Sequence, residues 1–155
     1  MHPTEDRDSQ EVDEMSDFGD HVDDAIFGQI LEMDESEEER DFSEPLVFNF
    51  FQQALETFER MKEALDNSDL EGLSSLGHFL KGSSATLGFN KIRDSCQVIQ
   101  QYGHKLTVDG TDELDEKVCL EKIADALKKV KVDTETLNKK MEIFFKREKG
   151  DEKEE

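Results

Sequence analysis

The chain has 155 residues, with 19 Lys/Arg against 40 Asp/Glu and a formal net charge of −21. Without a basic stripe, that acidity excludes the phosphate-backbone affinity on which nucleic-acid binding depends, and no apolar run approaches the ~18 residues a membrane span needs. Cys96 and Cys119 are too few for a disulfide framework and no apolar leader opens the chain, so the expectation is a soluble intracellular protein with reduced thiols.

The acidity is concentrated at one end. Residues 1–44 hold 18 Asp/Glu against Arg7 and Arg40, a net of −16, which leaves −5 for the remainder. Residues 1–22 have almost no apolar content and are expected to be a disordered acidic tail. Residues 149–155 read as a second, charged tail, so the folded domain is expected to span 23–148.

From Asp23 the pattern changes. "DDAIFGQILEMDE" offers Asp23 or Asp24 as an N-cap and spaces Ile26, Ile30 and Met33 at i, i+4, i+7, with Phe27 and Leu31 alongside, which predicts a short amphipathic helix. The next helix opens at "FSEPLVFNFF", with Ser43 as N-cap and Pro45 in the first turn, where proline is tolerated. Val47, Phe51, Leu55, Phe58, Met61 and Leu65 form its apolar stripe, with Phe50 and Ala54 beside it, so much of its girth should be buried.

A third helix begins near Asp69, carries Leu70, Leu73, Leu76, Leu80, Ser84 and Leu87 on one face, and stops at Gly88. A fourth, "FNKIRDSCQVIQQYGHK", presents Ile92, Cys96, Ile99 and Gly103, and the loop "TVDGTDE" follows. Leu120, Ile123, Leu127, Val130, Leu137, Met141 and Phe144 then keep helical spacing from Glu116 to Arg147. One long helix kinked near "VKVDTE", or two helices with Asp133 capping the second, fits that stripe equally. No run alternates with a period of two. The fold class is therefore all-α, an antiparallel four-helix bundle with an additional short N-terminal helix.

One stretch of the third helix, "LGHFLKGSSATLG", breaks the rules of helix composition. Glycine in an exposed helix interior costs about 1 kcal/mol relative to alanine. At 100° per residue His78 lies about 150° from the leucine face, and Gly82, four residues on, lies almost opposite the core too. Lys81 borders the same spot. Histidine and lysine beside a bare notch let a bulky anionic group approach the ring. Gly77, by contrast, points toward the core and is assigned to close packing. On the fourth helix Arg93, Gln97, Gln100 and His104 share a flank that can face His78. His2 and His21, in the acidic tail, lack any such context.

"HFLKGSSATLG" resembles the H-x-x-K-G-S-S-x-x-x-G signature of histidine-containing phosphotransfer (HPt) domains. The likeness runs from about Ile26 to Tyr102 and is greatest to the fungal phosphorelay intermediates of osmotic stress signalling; the C-terminal third matches only as a helical pattern. The resemblance implies a phosphocarrier without kinase activity of its own. It would take a phosphoryl group on His78 from the aspartyl phosphate of a hybrid histidine kinase receiver domain and pass it to an aspartate of a response regulator. By position, Lys81 stabilises phosphate charge, Gly82 admits the partner's loops and Gln100 hydrogen-bonds near the histidine. A basic side chain, often arginine, stands in fungal members where this chain has His104.

Phosphoryl transfer needs in-line geometry and charge stabilisation more than protein covalent chemistry, and neutral imidazole is a competent nucleophile. No cofactor of the chain's own is expected, the Mg2+ being supplied by the receiver. The first helix has more apolar surface than one stripe needs. The resemblance makes it, with the start of the second helix, the receiver-docking patch, with Ile26, Ile30 and Leu46 as contacts and Asp34 at the edge. The expected state is a monomer, cytoplasmic and nuclear, with no nucleic-acid or membrane partner. The alternative, a non-catalytic acidic helical interaction module, leaves the histidine–lysine–glycine spacing unexplained.

Overall fold

The computed structural model describes residues 18–149, the side chains of the last three excepted. It is helical: a short 3-10 turn at Gly19–His21 precedes α1 (Asp24–Glu32), α2 (Ser43–Asp66), α3 (Leu70–Leu87), α4 (Asn90–Gly103) and α5 (Glu116–Lys149). No strand occurs among the described residues, only the isolated bridges Val22–Phe89 and Leu106–Asp112. Helix α2 packs on α3, α3 on α4, α4 on α5 and α5 back on α2, closing a four-helix bundle on which α1 sits.

Local chemistry sets the helix ends. The Asp23 carboxylate accepts from the amides of Ala25 and Ile26, and that of Asp69 accepts from Gly72, satisfying donors that a helix start leaves open. Gly88 ends α3 at φ 79°, a left-handed conformation that glycine adopts without penalty. A Cβ there would also press on the Asp23 carbonyl and on Ile26 at 3.1 Å, and the Asp23 amide donates to the Gly88 carbonyl at 2.7 Å. The start of α1 is thereby seated on the α3–α4 corner.

Phenylalanines fill the end of the core beneath α1. Phe89 stacks on Phe51 at 5.8 Å between ring centroids and meets Phe50 edge-on at 5.3 Å, while Phe27 and Phe18 both pack edge-on against Phe144.

Three expectations change. The acidic tail does not extend to residue 22: Phe18 and Val22 are 1% and 5% exposed and belong to the core, and burying those two apolar side chains outweighs the acidic composition around them. Residues 1–17 and 150–155 lie outside the described residues. Leu55 is 60% exposed, because the buried stripe of α2 runs instead through Val47, Phe50, Phe51, Ala54, Thr57, Phe58, Met61 and Ala64. Ser43 does not cap α2; it is already helical, and the carboxylate of Asp34 accepts from the amides of Phe42 and Ser43 at 2.8 and 2.6 Å. Of the two readings of the C-terminal stripe, a single unbroken α5 is the one adopted, and Asp133 pairs with Lys129 at 2.8 Å.

Candidate phosphotransfer site

Helices α3 and α4 approach closely because glycines stand where they cross. A Cβ at Gly77 would meet the Cys96 carbonyl oxygen and the Gln100 amide nitrogen, both at 3.0 Å; one at Gly103 would meet the Ser74 nitrogen at 2.7 Å. With backbones that near, short side chains can bridge the helices. Three rungs do so: Lys81 Nζ donates to Gln97 Oε1 at 2.7 Å, the Gln100 amide meets His78 Nδ1 at 3.3 Å, and Ser74 Oγ meets His104 Nε2 at 2.8 Å. Residues 74, 78 and 81 on one helix face 104, 100 and 97 on the other, the antiparallel register that helical spacing requires.

His78 is exposed at the middle rung. With Nδ1 turned toward Gln100, Nε2 is the nitrogen left to react, and a lone pair there requires the proton on Nδ1. The Gln100 amide nitrogen lies against Nδ1 while its Oε1 is buried without a hydrogen bond; an amide turned the other way would accept from an Nδ1–H. Amide orientation is fixed by such hydrogen-bond reasoning.

The notch is as wide as the helical wheel implied, since a Cβ at Gly82 would meet nothing within 4 Å. Ser84 faces inward, its hydroxyl donating to the Leu80 and Lys81 carbonyls at 2.8 and 3.0 Å. The last serine of the motif is therefore structural. Neither thiol is available for chemistry: Cys96 and Cys119 are both buried, and burial pushes Cys96 up to about 12.

The four residues chosen from the sequence for docking separate into two pairs. Ile26 and Leu46 are half-buried and present part of their surface. Ile30 is 8% exposed and belongs to the core, because it shares the seated face of α1 with Phe27 and Leu31. Asp34 is not an edge contact, for its side chain is fully buried. It forms an ion pair with Arg40 at 3.2 Å and accepts from the Ser43 hydroxyl at 2.6 Å. Burial pushes its carboxyl up, but the hydrogen bonds from the Ser43 hydroxyl, the Ser43 and Phe42 amides and Arg40 together hold it below the usual carboxylate range.

Those bonds tie the end of α1 to the start of α2. Met33, expected on the apolar stripe of the first helix, is instead 64% exposed because it lies past the last seated turn of α1, and Phe42, at the start of α2, is 41% exposed. Phe79, next to His78, is also half exposed. Its position, one residue off the leucine stripe, was the signal available for it.

A family model described as the Hpt domain matches residues 45–137. The chain belongs to the Hpt domain family. It is 46% identical over 107 residues to Multistep phosphorelay regulator 1 of Schizosaccharomyces pombe, covering 68% of this chain and 36% of that protein. It is 52% identical over 88 residues to Phosphorelay intermediate protein YPD1 of Candida albicans, covering 57% and 47%. The chain thus spans between a third and a half of the length of these relatives. Among solved structures, Saccharomyces cerevisiae Ypd1, in complex with the receiver domain of its downstream response regulator Ssk1, superposes with a TM-score of 0.65 at 30% identity, over 82% of this chain and 93% of that one. The matched span contains His78, Lys81, Gly82 and Gln100.

Proposed function

We propose that this protein is a phosphorelay intermediate. It accepts a phosphoryl group on His78 from the aspartyl phosphate of a hybrid histidine kinase receiver domain and delivers it to an aspartate of a downstream response regulator. The observation that carries the reading is an exposed imidazole tethered at Nδ1 by Gln100, with the open Gly82 surface one turn beyond it.

In the transfer step His78 Nε2 attacks phosphorus opposite the aspartyl oxygen. The N–P bond forms as the acyl phosphate P–O bond breaks, and the aspartate leaves as a carboxylate; delivery runs the same step in reverse. Lys81, held beside the site through Gln97, offsets charge on the equatorial oxygens. The side chains that bridge α3 and α4 include no carboxylate, so a Mg2+ ion in this step falls to the aspartate pocket of the receiver.

The receiver docks on Ile26, Leu46, Met33 and Phe42, and Asp34 holds that patch together from beneath. The Ssk1 receiver complex of the yeast relative supports a partner of this class. One patch serving donor and acceptor makes the two compete.

The test is to mix the protein with a phosphorylated receiver and follow acid-labile, base-stable label. Wild-type protein takes it up and ATP alone supplies none. His78→Gln abolishes uptake with melting unchanged within about 0.5 kcal/mol, as expected of an exposed position. Label retained by the variant, or carried by His2, His21 or His104, overturns the assignment.

A further inference from the structure

Helices α2 and α5 meet along a seam that does not close. A cavity of about 360 Å³ opens there, walled on the α2 side by Phe51, Leu55 and Phe58 and on the α5 side by Lys131, Thr134, Glu135 and Asn138. Each set recurs at three- and four-residue steps and is therefore one face of its helix. Leu55, which the buried stripe of α2 leaves 60% exposed, is a wall of this cavity. In the ring of helices the seam lies opposite the α3–α4 seam that carries His78.

The α5 wall holds two polar atoms without partners. A helical threonine commonly donates to the carbonyl four residues back, as Thr57 does to Gln53 at 2.8 Å and Thr86 to Gly82 at 3.0 Å. Thr134 is 3% exposed, yet its Oγ1 makes no hydrogen bond, and one turn further along Asn138 Oδ1 is also buried without a partner. Leaving such groups unpaired is costly. One turn before Thr134, the exposed Lys131 has no ion pair among the described residues, whereas Glu135 lies 4.0 Å from Lys139.

We propose that the α2–α5 cavity binds a small aromatic acid with a ring N–H, of the indole carboxylate class. The ring system lies among Phe51, Leu55 and Phe58, where a flat aromatic molecule makes offset and edge contacts. Its N–H donates to Asn138 Oδ1, and its carboxylate accepts from the Thr134 hydroxyl and pairs with Lys131. The order of those three side chains along α5 sets the direction of the ligand. Thr134 and Asn138 stand about 6 Å apart along the helix axis, a distance that a ring N–H and a side-chain carboxylate on one bicyclic molecule can bridge. The volume is at the low end for ligand pockets and suits a two-ring molecule. Because the seam faces away from His78, an occupant leaves the phosphotransfer face clear.

The experiment titrates the full chain, labelled with nitrogen-15, with indole-3-acetate and follows backbone amide shifts. Saturable shifts are expected at Phe51, Leu55, Phe58, Thr134 and Asn138, with His78 and Lys81 unmoved. Naphthalene-1-acetate, which has the same outline and charge but no N–H, should bind the wild-type chain about tenfold more weakly or worse. Asn138→Leu should erase that difference between the two acids, while Lys131→Gln should weaken both alike. The comparison of the two acids on wild-type protein stands whether or not the variants fold. Absence of saturable shifts at millimolar indole-3-acetate, shifts centred away from the α2–α5 seam, or equal affinity for the two acids overturns the proposal. In the last case the cavity is an unselective apolar cleft.

Discussion

Replacing Gly82 by alanine is expected to stabilise the protein while leaving its α3–α4 geometry intact. A Cβ at this position meets nothing within 4 Å, so the only energetic change is recovered helix propensity, about 1 kcal/mol. For a chain of this size that corresponds to a rise in Tm of about 2–4 °C. Gly77, five residues earlier in the same helix, supplies the internal contrast. Its Cβ would strike the Cys96 carbonyl oxygen and the Gln100 amide nitrogen at 3.0 Å, both backbone atoms that cannot swing aside. Gly77→Ala should therefore cost about 1–3 kcal/mol as α3 and α4 are forced apart. Gly82→Gln should fold as well as Gly82→Ala yet fill the notch beside His78. A displacement of about 1 Å at a reacting centre can cost on the order of a hundredfold in rate, so transfer should collapse while Tm holds. Thermal melts paired with transfer kinetics on the three variants read both effects. Lower melting of both Gly82 variants, with transfer falling only as the folded fraction falls, would refute the access argument and make Gly82 a packing glycine.

Ile30→Asp should unfold the domain, costing more than about 4 kcal/mol because it buries an uncompensated carboxylate, whereas Met33→Asp should leave Tm unchanged and weaken receiver binding by about tenfold or more in a titration. Asp34→Ala should cost about 3–5 kcal/mol, since it breaks a buried ion pair and removes the carboxylate that caps α2. The Asp34 carboxyl titrates below the ordinary aspartate value of 3.8, so its contribution is complete above the unfolded pKa and fades as pH falls through the folded one. Denaturation of Asp34→Asn should accordingly lose that acid dependence. Burial first, and Lys91 next, pull His21 below 6.5. The unfolded chain then takes up a proton before the folded one does, so stability should fall as pH drops below 6.5, and His21→Gln should flatten that slope in urea titrations followed by circular dichroism.

The four bundle helices were legible because each carries an apolar stripe at helical spacing and a polar or glycine stop. Leu55 was misread for a geometric reason. A stripe written at alternating three- and four-residue steps passes through Leu55, but the bundle contacts centre on Ala54 and Phe58 and leave Leu55 on the outer side. The start of the domain was illegible for another. Phe18 and Val22 are two apolar residues in an acidic neighbourhood, and local composition does not register a long-range pairing such as Val22 with Phe89 or Phe18 with Phe144. The choice between one helix and two at α5 was open because Asp133 has the chemistry of a cap; its pairing with Lys129 four residues earlier is a property of an uninterrupted helix that an isolated residue type does not reveal.

At the candidate site the contrast between His78 and the docking patch follows from how each is encoded. His78, Lys81 and Gly82 lie within one helix, so their relative placement depends only on the 100° turn per residue, and the wheel alone puts histidine and glycine on the exposed side. Gln100 enters through a second helix, but Gly77 and Gly103 fix the approach of that helix so tightly that its register is nearly determined. The patch is different. Apolar residues on a nine-residue helix must first seat it on the bundle, and nothing in their identity separates those spent on seating from those left for a partner. Ile30 turned out to be a seating residue, and Asp34 the carboxylate that joins α1 to α2. Asp34 accepts from the Phe42 amide at 2.8 Å, which holds the end of α1 against the start of α2 although eight residues separate Asp34 from Phe42. The junction that carries the proposed docking surface therefore rests on one buried carboxylate. Loss of Asp34 should dismantle the docking patch even under conditions in which the four-helix bundle itself survives.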